Sequence, residues 1–171
     1  MYSLNPIKDM PLPLDTKNAK GFVDPELRLV YQSYHDIVTP DVTRVMYQWI
    51  GNGMHWFNVN AFRGSIFDFR EVTQFTVGNN PVAIKSSKSI NENLDTTIYP
   101  VVMVVDSIQQ EIKVRLSLMG EPAARKFICR TNETALEFIN EWNKQSGRHF
   151  DESIDFSAWP TKRQQTDPLI F

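Results

Sequence analysis

The chain has 171 residues, with 18 Lys and Arg against 20 Asp and Glu and a formal net charge of −2. One domain is the natural expectation at this length, and such a chain buries roughly 70% of its unfolded surface without a metal or disulfide staple. The near-neutral balance argues against a general phosphate-binding surface, and the lone Cys129 excludes an intrachain disulfide and a Cys-rich zinc site.

The opening stretch, MYSLNPIKDMPLPL, has neither a basic n-region nor a continuous apolar core. The longest greasy run, Ile98 to Val105, is far short of the ~18 residues a membrane helix needs. The expected location is cytoplasmic, or a particle assembled in a cytoplasm, and neither secretion nor a membrane partner is expected. Six of the ten prolines (Pro6, Pro11, Pro13, Pro25, Pro160, Pro168) fall within residues 1–25 and 148–171. Proline fixes φ and removes an amide donor, so both ends read as extended arms, 1–23 and 148–171, around a single domain at 24–147.

Asp24-Pro25 matches a helix N-cap followed by N1, and Leu27, Val30, Tyr31 and Tyr34 recur at helical spacing, which predicts a first helix over 24–37. Thr39-Pro40-Asp41 repeats the start signal. Val42, Val45, Met46, Trp49 and Ile50 then form a stripe that Gly51 is expected to close. From Met54 the period changes to two, and MHWFNVNAF and SIFDFREVTQFTV read as strands with a turn over 61–65. Gly78-Asn79-Asn80-Pro81 reads as a turn, followed by a short strand at Val82 to Lys85 and a polar loop, SSKSINENLDT.

Thr97 to Val105 reads as a buried strand in which Pro100 suggests an edge or bulge. Glu111 to Met119 alternates strictly, with Ile112, Val114, Leu116 and Leu118 on one side, as a half-solvated antiparallel strand would. KFICR follows as a strand. NETALEFINEWNKQ is the last helix, with Ala135, Phe138, Ile139 and Trp142 on one face and Gly147 at its end. The expected fold class is α+β: an antiparallel sheet of about five or six strands covered by an N-terminal helix pair and a C-terminal helix, with extended N- and C-terminal arms.

The chemistry-bearing residues are sparse. His35, His55 and His149 share no metal-ligand spacing, so no metal or other cofactor is expected. His55, in M-H-W-F, reads as a strand histidine. Asp68 and Glu71 stand at an odd separation and face opposite sides of a strand unless a bulge intervenes. Asp151, Glu152 and Asp155 read as a solvated acidic turn, and Cys129 as a small buried hydrophobe. There is no G-x-S-x-G elbow, Gly51-Asn52-Gly53 reads as a helix cap, and Lys85 to Ser89 lacks the glycines of a phosphate loop. The run from Arg63 meets only one of the three aromatic positions of an RNA-recognition strand, at Phe67.

The arms are unusually apolar. The first carries Leu12 and Leu14, and the second carries Trp159 and ends in Leu169-Ile170-Phe171. Each large side chain left in water forgoes ~1.5–3 kcal/mol of burial. These six residues are therefore the expected interaction positions, docking on a second subunit or partner protein. The functional expectation is a non-catalytic protein–protein interaction or assembly protein in a multi-subunit complex, a viral or phage particle among the examples. The alternatives are a regulator binding one cellular or host protein, a nucleic-acid-binding module using Arg63, Arg70, Lys113 and Arg115, and a small enzyme with a site near His55 and Asp68 or Glu71.

Overall fold

The computed structural model describes residues 13–24, 26–57, 62–93, 99–118 and 125–148, with the side chains of 54–57 and 93 left aside. Along the chain run β1 (Leu14–Asp15), β2 (Ala19–Asp24), β3 (Leu29–Val38), α1 (Pro40–Phe57), β4 (Gly64–Phe75), α2 (Asn79–Asn93), β5 (Val101–Val104), α3 (Ile108–Ser117), β6 (Lys126–Cys129) and α4 (Asn132–Ser146). The six strands form one sheet in the order β1-β2-β3-β4-β5-β6. The class is α+β, as expected, but the sheet is mixed. β1, β2 and β3 are antiparallel neighbours, whereas β3 to β6 are joined in parallel.

That topology corrects several sequence expectations. The helix expected over 24–37 is a turn followed by β3, so there is no N-terminal helix pair. Asp24 does cap, as its signal says: Oδ1 accepts the amides of Glu26 (3.1 Å) and Leu27 (3.0 Å). The cap closes the β2–β3 hairpin instead of opening a helix. Val30, Gln32 and Tyr34 are then buried at period two. Residues 14–23, expected as an arm, are β1 and most of β2, and Leu14 packs in cis against the core.

Gly51 does not end α1, which continues to Phe57, so His55 stands on a helix and not on a strand. Residues 79–93, read as a turn, a short strand and a loop, are the helix α2. Glu111 to Met119, read as a strand, falls mostly in α3, capped by Ser107, whose hydroxyl accepts from the Gln110 amide (3.1 Å). Parallel neighbours cannot be joined by a hairpin, and a helical crossover is the usual solution. α1, α2 and α3 are those crossovers. The strands over 64–75, 101–104 and 126–129 and the helix α4 stand where the sequence places them, with Gly147 (φ 62°) closing α4.

Alternation along β5 separates two cores. Val102 and Val104 pack with Ile66, Cys129 and the α4 residues Ala135 and Ile139. Val101 and Met103 face the other way, toward Phe67, Phe69, Val114 and Leu118. Next to them, Val30, Tyr34, Val38, Tyr99, Met46 and Ile50 join α1 to the sheet. One face thus carries α1, α2 and α3, and the other carries α4.

Two contacts hold the helical face in place. The Trp49 ring lies on β2 so closely that a Cβ at Gly21 would stand 2.6 Å from it. Gln110 of α3 donates to the carbonyls of Arg70 (3.2 Å) and Val72 (2.9 Å), and its Oε1 accepts the Asp106 amide (2.7 Å). Those carbonyls lie beyond Asp68, the last β4 residue paired to β5. Each buried polar group left unpaired costs about 1–3 kcal/mol. Gln110→Leu is therefore expected to destabilise the fold by at least ~2 kcal/mol in urea unfolding, and Gly21→Val by about 1–3 kcal/mol through overpacking against Trp49.

Candidate functional site

The inner side of α2 reads Ala83, Ser87, Ile90 and Asn91, spaced at i, i+4, i+7 and i+8. Small and amide side chains at these positions cannot reach the sheet as leucines would. A cavity of about 100 Å³, open to solvent at its mouth, lies between the sheet and the helices. A single water needs roughly 10–15 Å³ on the same measure. The space therefore holds several waters or a small organic molecule.

The walls divide by chemistry. Tyr34, Phe67, Phe69, Phe75 and Met103 supply an apolar side from the sheet and the residues around it, and Tyr47 and Ile50 close it from α1. Tyr34 stacks on Phe69 (5.1 Å), and Phe69 lies 6.3 Å from Phe67, so the aromatic wall is continuous. Burial raises the Tyr34 phenol and pushes Tyr47 up to about 12. Both rings are neutral at physiological pH.

The same lining includes Arg125, Lys126 and, from α3, Lys113, together with Asn91 and Ser117. Arg125 is only 5% exposed. It donates through Nη1 to the Tyr99 carbonyl (3.1 Å) and through Nη2 to Asn91 Oδ1 (3.4 Å), both neutral acceptors. Burial lowers its pKa, and it pushes Lys126 down to about 8. No Asp or Glu is among the described residues lining the cavity.

A second polar cluster lies on the opposite face. Asp68 Oδ2 accepts from Tyr31 Oη (2.6 Å) and Arg70 Nη2 (2.7 Å), and Oδ1 accepts from the Arg70 Nε and backbone amide (both 3.0 Å). Burial alone would raise the Asp68 pKa, but the Arg70 and Tyr31 hydrogen bonds outweigh it and lower the pKa. Burial and Asp68 together push Tyr31 up to about 12. A carboxylate held ionised on four donors is a clasp between β3 and β4, ill suited to exchanging protons. The β4 register pairs Asp68 with Ser33 and Glu71 with His35 across an irregularity. Asp68 and Glu71 therefore share a side after all, together with the Ser33–His35 pair (Oγ to Nε2, 2.9 Å).

The sequence-derived positions fare unequally. Leu14 is described and packs on its own sheet. Leu12, Trp159, Leu169, Ile170 and Phe171 lie outside the described residues, as do His149 and Asp151, Glu152 and Asp155. α1, which carries His55, packs on the face away from Tyr31 and Asp68, so the sheet separates it from the carboxylates proposed as its partners. Cys129 is buried, with its thiol donating to the Thr131 carbonyl (3.3 Å) and its pKa raised by burial. The basic residues considered for nucleic acid do not form a track. Arg70 is held by Asp68, Arg115 by Glu111, Arg63 reaches Asn140, and Lys113 stands at the cavity. Among the described residues no group of His, Cys, Asp and Glu could hold a metal ion, and no helix is long and apolar enough to cross a membrane.

The cavity residues are hard to find from sequence because α2 carries little helical hydrophobic pattern. The signal was present: Ala83, Ser87, Ile90 and Asn91 share one helical face, but only Ile90 is large and apolar.

The depressed Lys126 makes a pH prediction. Between about 8 and the ordinary 10.5, the unfolded chain binds more protons at this residue than the folded one, so stability rises with pH across that window. Above about 10 the raised tyrosines reverse the trend, because the unfolded phenols ionise first. The melting temperature is expected to peak between about pH 8 and 10, and Lys126→Met should abolish the rise below the peak.

No protein-family model and no curated protein sequence matches the chain. Solved structures do resemble it. An uncharacterised protein of the DUF3478 family from Shewanella loihica PV-4, with a SpoIIAA-like fold, superposes with a TM-score of 0.54 at 10% identity, covering 74% of this chain and 97% of that one. The anti-sigma factor antagonist SpoIIAA in its unphosphorylated form gives a TM-score of 0.46 at 8% identity, covering 67% of this chain and 91% of that one. At such identities the first of these shows a shared SpoIIAA-like fold and nothing about activity.

Proposed function

We propose that this chain is a non-catalytic binding protein that encloses a small, largely apolar ligand between its sheet and α1, α2 and α3. The cavity behind Ser87 and Asn91 carries this reading. It is lined by Tyr34, Phe67, Phe69 and Phe75 together with a few polar groups, among them Ser87, Asn91 and Arg125. Apolar walls with a few convergent polar groups are the usual make-up of small-molecule sites. At the Asp68 cluster, by contrast, the carboxylate already accepts four hydrogen bonds from Tyr31 and Arg70.

A ligand that binds only the folded state raises the melting temperature. Decanol, an uncharged amphiphile, should do so for the native chain, and Ser87→Leu, which fills the cavity from α2, should remove the shift while the variant stays folded. An equal shift in the variant, or none in the native chain, would place the ligand elsewhere or nowhere.

A second reading, the interaction or assembly role expected from the sequence, has its own support. Ile108, Ile112 and Leu116 are 67%, 53% and 41% exposed and lie at i, i+4 and i+8 along α3. Such a row is the form of apolar anchor that helices present to partner proteins. Light scattering on the native chain and on an Ile108→Ser/Ile112→Ser pair separates the two cases. A dimer that the pair converts to monomer supports self-association through α3, and a monomer in both removes it.

A further inference from the structure

We propose that the occupant of the cavity carries an aromatic ring, which seats against the cluster formed by Tyr34, Tyr47, Phe67, Phe69 and Phe75. This inference rests on the pocket reading above and adds the chemical class of the ligand's body.

The argument is one of ring geometry. Each of these side chains lines the cavity, and each lies beside another of the set. Tyr34 and Phe69 are nearly parallel, with 5.1 Å between centroids and 14° between planes. Phe69 and Phe67 stand 6.3 Å apart at 13°. Phe75 meets Phe69 at 5.9 Å and 40°, and Tyr47 meets Phe67 at 6.3 Å and 31°. Aromatic rings settle at centroid separations of about 4.5–7 Å, because the negative face of one attracts the positive edge of the next in offset and tilted arrangements. Every one of these pairs falls within that range. A further ring that enters the cavity joins neighbours already held at the spacing it prefers.

The same rings keep surface to offer. Phe67 and Phe69 belong to β4, an interior strand of the sheet, yet both are only half-buried, as is Phe75. Tyr34 and Met103, from the strands on either side, are each only 3% exposed. Since the phenylalanines line the cavity, an occupant covers ring surface that the fold itself leaves accessible.

Burial alone does not choose between bodies. A cyclohexyl ring has slightly more apolar surface than a phenyl ring, so the transfer from water favours the saturated compound. Attraction between ring quadrupoles works the other way. Only a π system returns it, and it raises affinity by roughly two- to ten-fold for each ring pair formed. With Phe67, Phe69 and Phe75 all half-buried at the cavity, more than one such pair is within reach of a bound ring.

Calorimetric titration of the full chain with 2-phenylethanol and 2-cyclohexylethanol changes the body from aromatic to saturated at constant head group and ring size. 2-Phenylethanol is expected to bind about three-fold or more tightly, against the order that hydrophobicity sets. Phe69→Leu, which removes the ring that joins Tyr34, Phe67 and Phe75, should erase most of that preference while leaving the affinity for 2-cyclohexylethanol within about two-fold. Tyr47→Leu, on α1 at the end of the cluster, should reduce the preference in the same way and carries the test if Phe69→Leu does not fold. Equal or tighter binding of 2-cyclohexylethanol, binding of decanol with neither ring compound, or a preference untouched by these substitutions would overturn the inference and leave the pocket reading intact. Absence of binding by all three alcohols would overturn both.

Discussion

The parallel run from β3 to β6 governs this molecule. Each parallel step needs a crossover, crossovers have one hand in nearly all proteins, and successive steps in the same direction therefore send their helices to the same face. α1, α2 and α3 are committed to one side of the sheet, and α4 alone covers the other. The layer of three must be filled by whatever side chains its helices turn inward. α1 fills its share with Met46, Ile50 and Trp49, the last pressed onto Gly21. α2 turns Ala83, Ser87 and Asn91 inward and does not fill its share. The cavity is the consequence.

The polar chemistry is sorted by face. On the α4 face, charge is neutralised locally, with Asp68 holding Arg70 and Tyr31 and tying β3 to β4. On the other face, Arg125 is buried against neutral acceptors and Lys126 is discharged more readily than a solvated lysine. The first arrangement consolidates strands. The second places two cations beside the cavity that α2 leaves open.

How much of this was legible in the sequence varies by element, for physical reasons. β4, β5, β6 and α4 were readable because their patterns agree with their local chemistry: β-branched and aromatic runs for the strands, and an apolar face closed by Gly147 for the helix. β3 was misread because Leu27, Val30, Tyr31 and Tyr34 satisfy a helical spacing while Val30, Gln32 and Tyr34 satisfy period two, and a buried glutamine hid the second. α3 was misread for the opposite reason. Ile112 and Leu116 alternate with charged residues yet point to solvent, whereas Gln110 and Val114 face inward. α2 gave almost no apolar signal, since its inward face is small and polar. The candidate site is built on that face, so an element unreadable by hydrophobic period was also the one that makes the cavity. The apolar positions Leu12, Trp159 and Leu169 to Phe171 lie outside the described residues, and Leu14 shows one of them turned to its own sheet.

The most direct measurement of the central claim is amide chemical-shift mapping of the isotopically labelled chain during titration with decanol. Perturbations concentrated at Tyr34, Phe67, Phe69, Ser87, Asn91 and Lys126 are the predicted result, since these residues from β3, β4, α2 and β6 meet only around the cavity. Perturbations confined to Phe22, Tyr31 and Ser33 on the opposite face, or none at saturating ligand, would contradict the account.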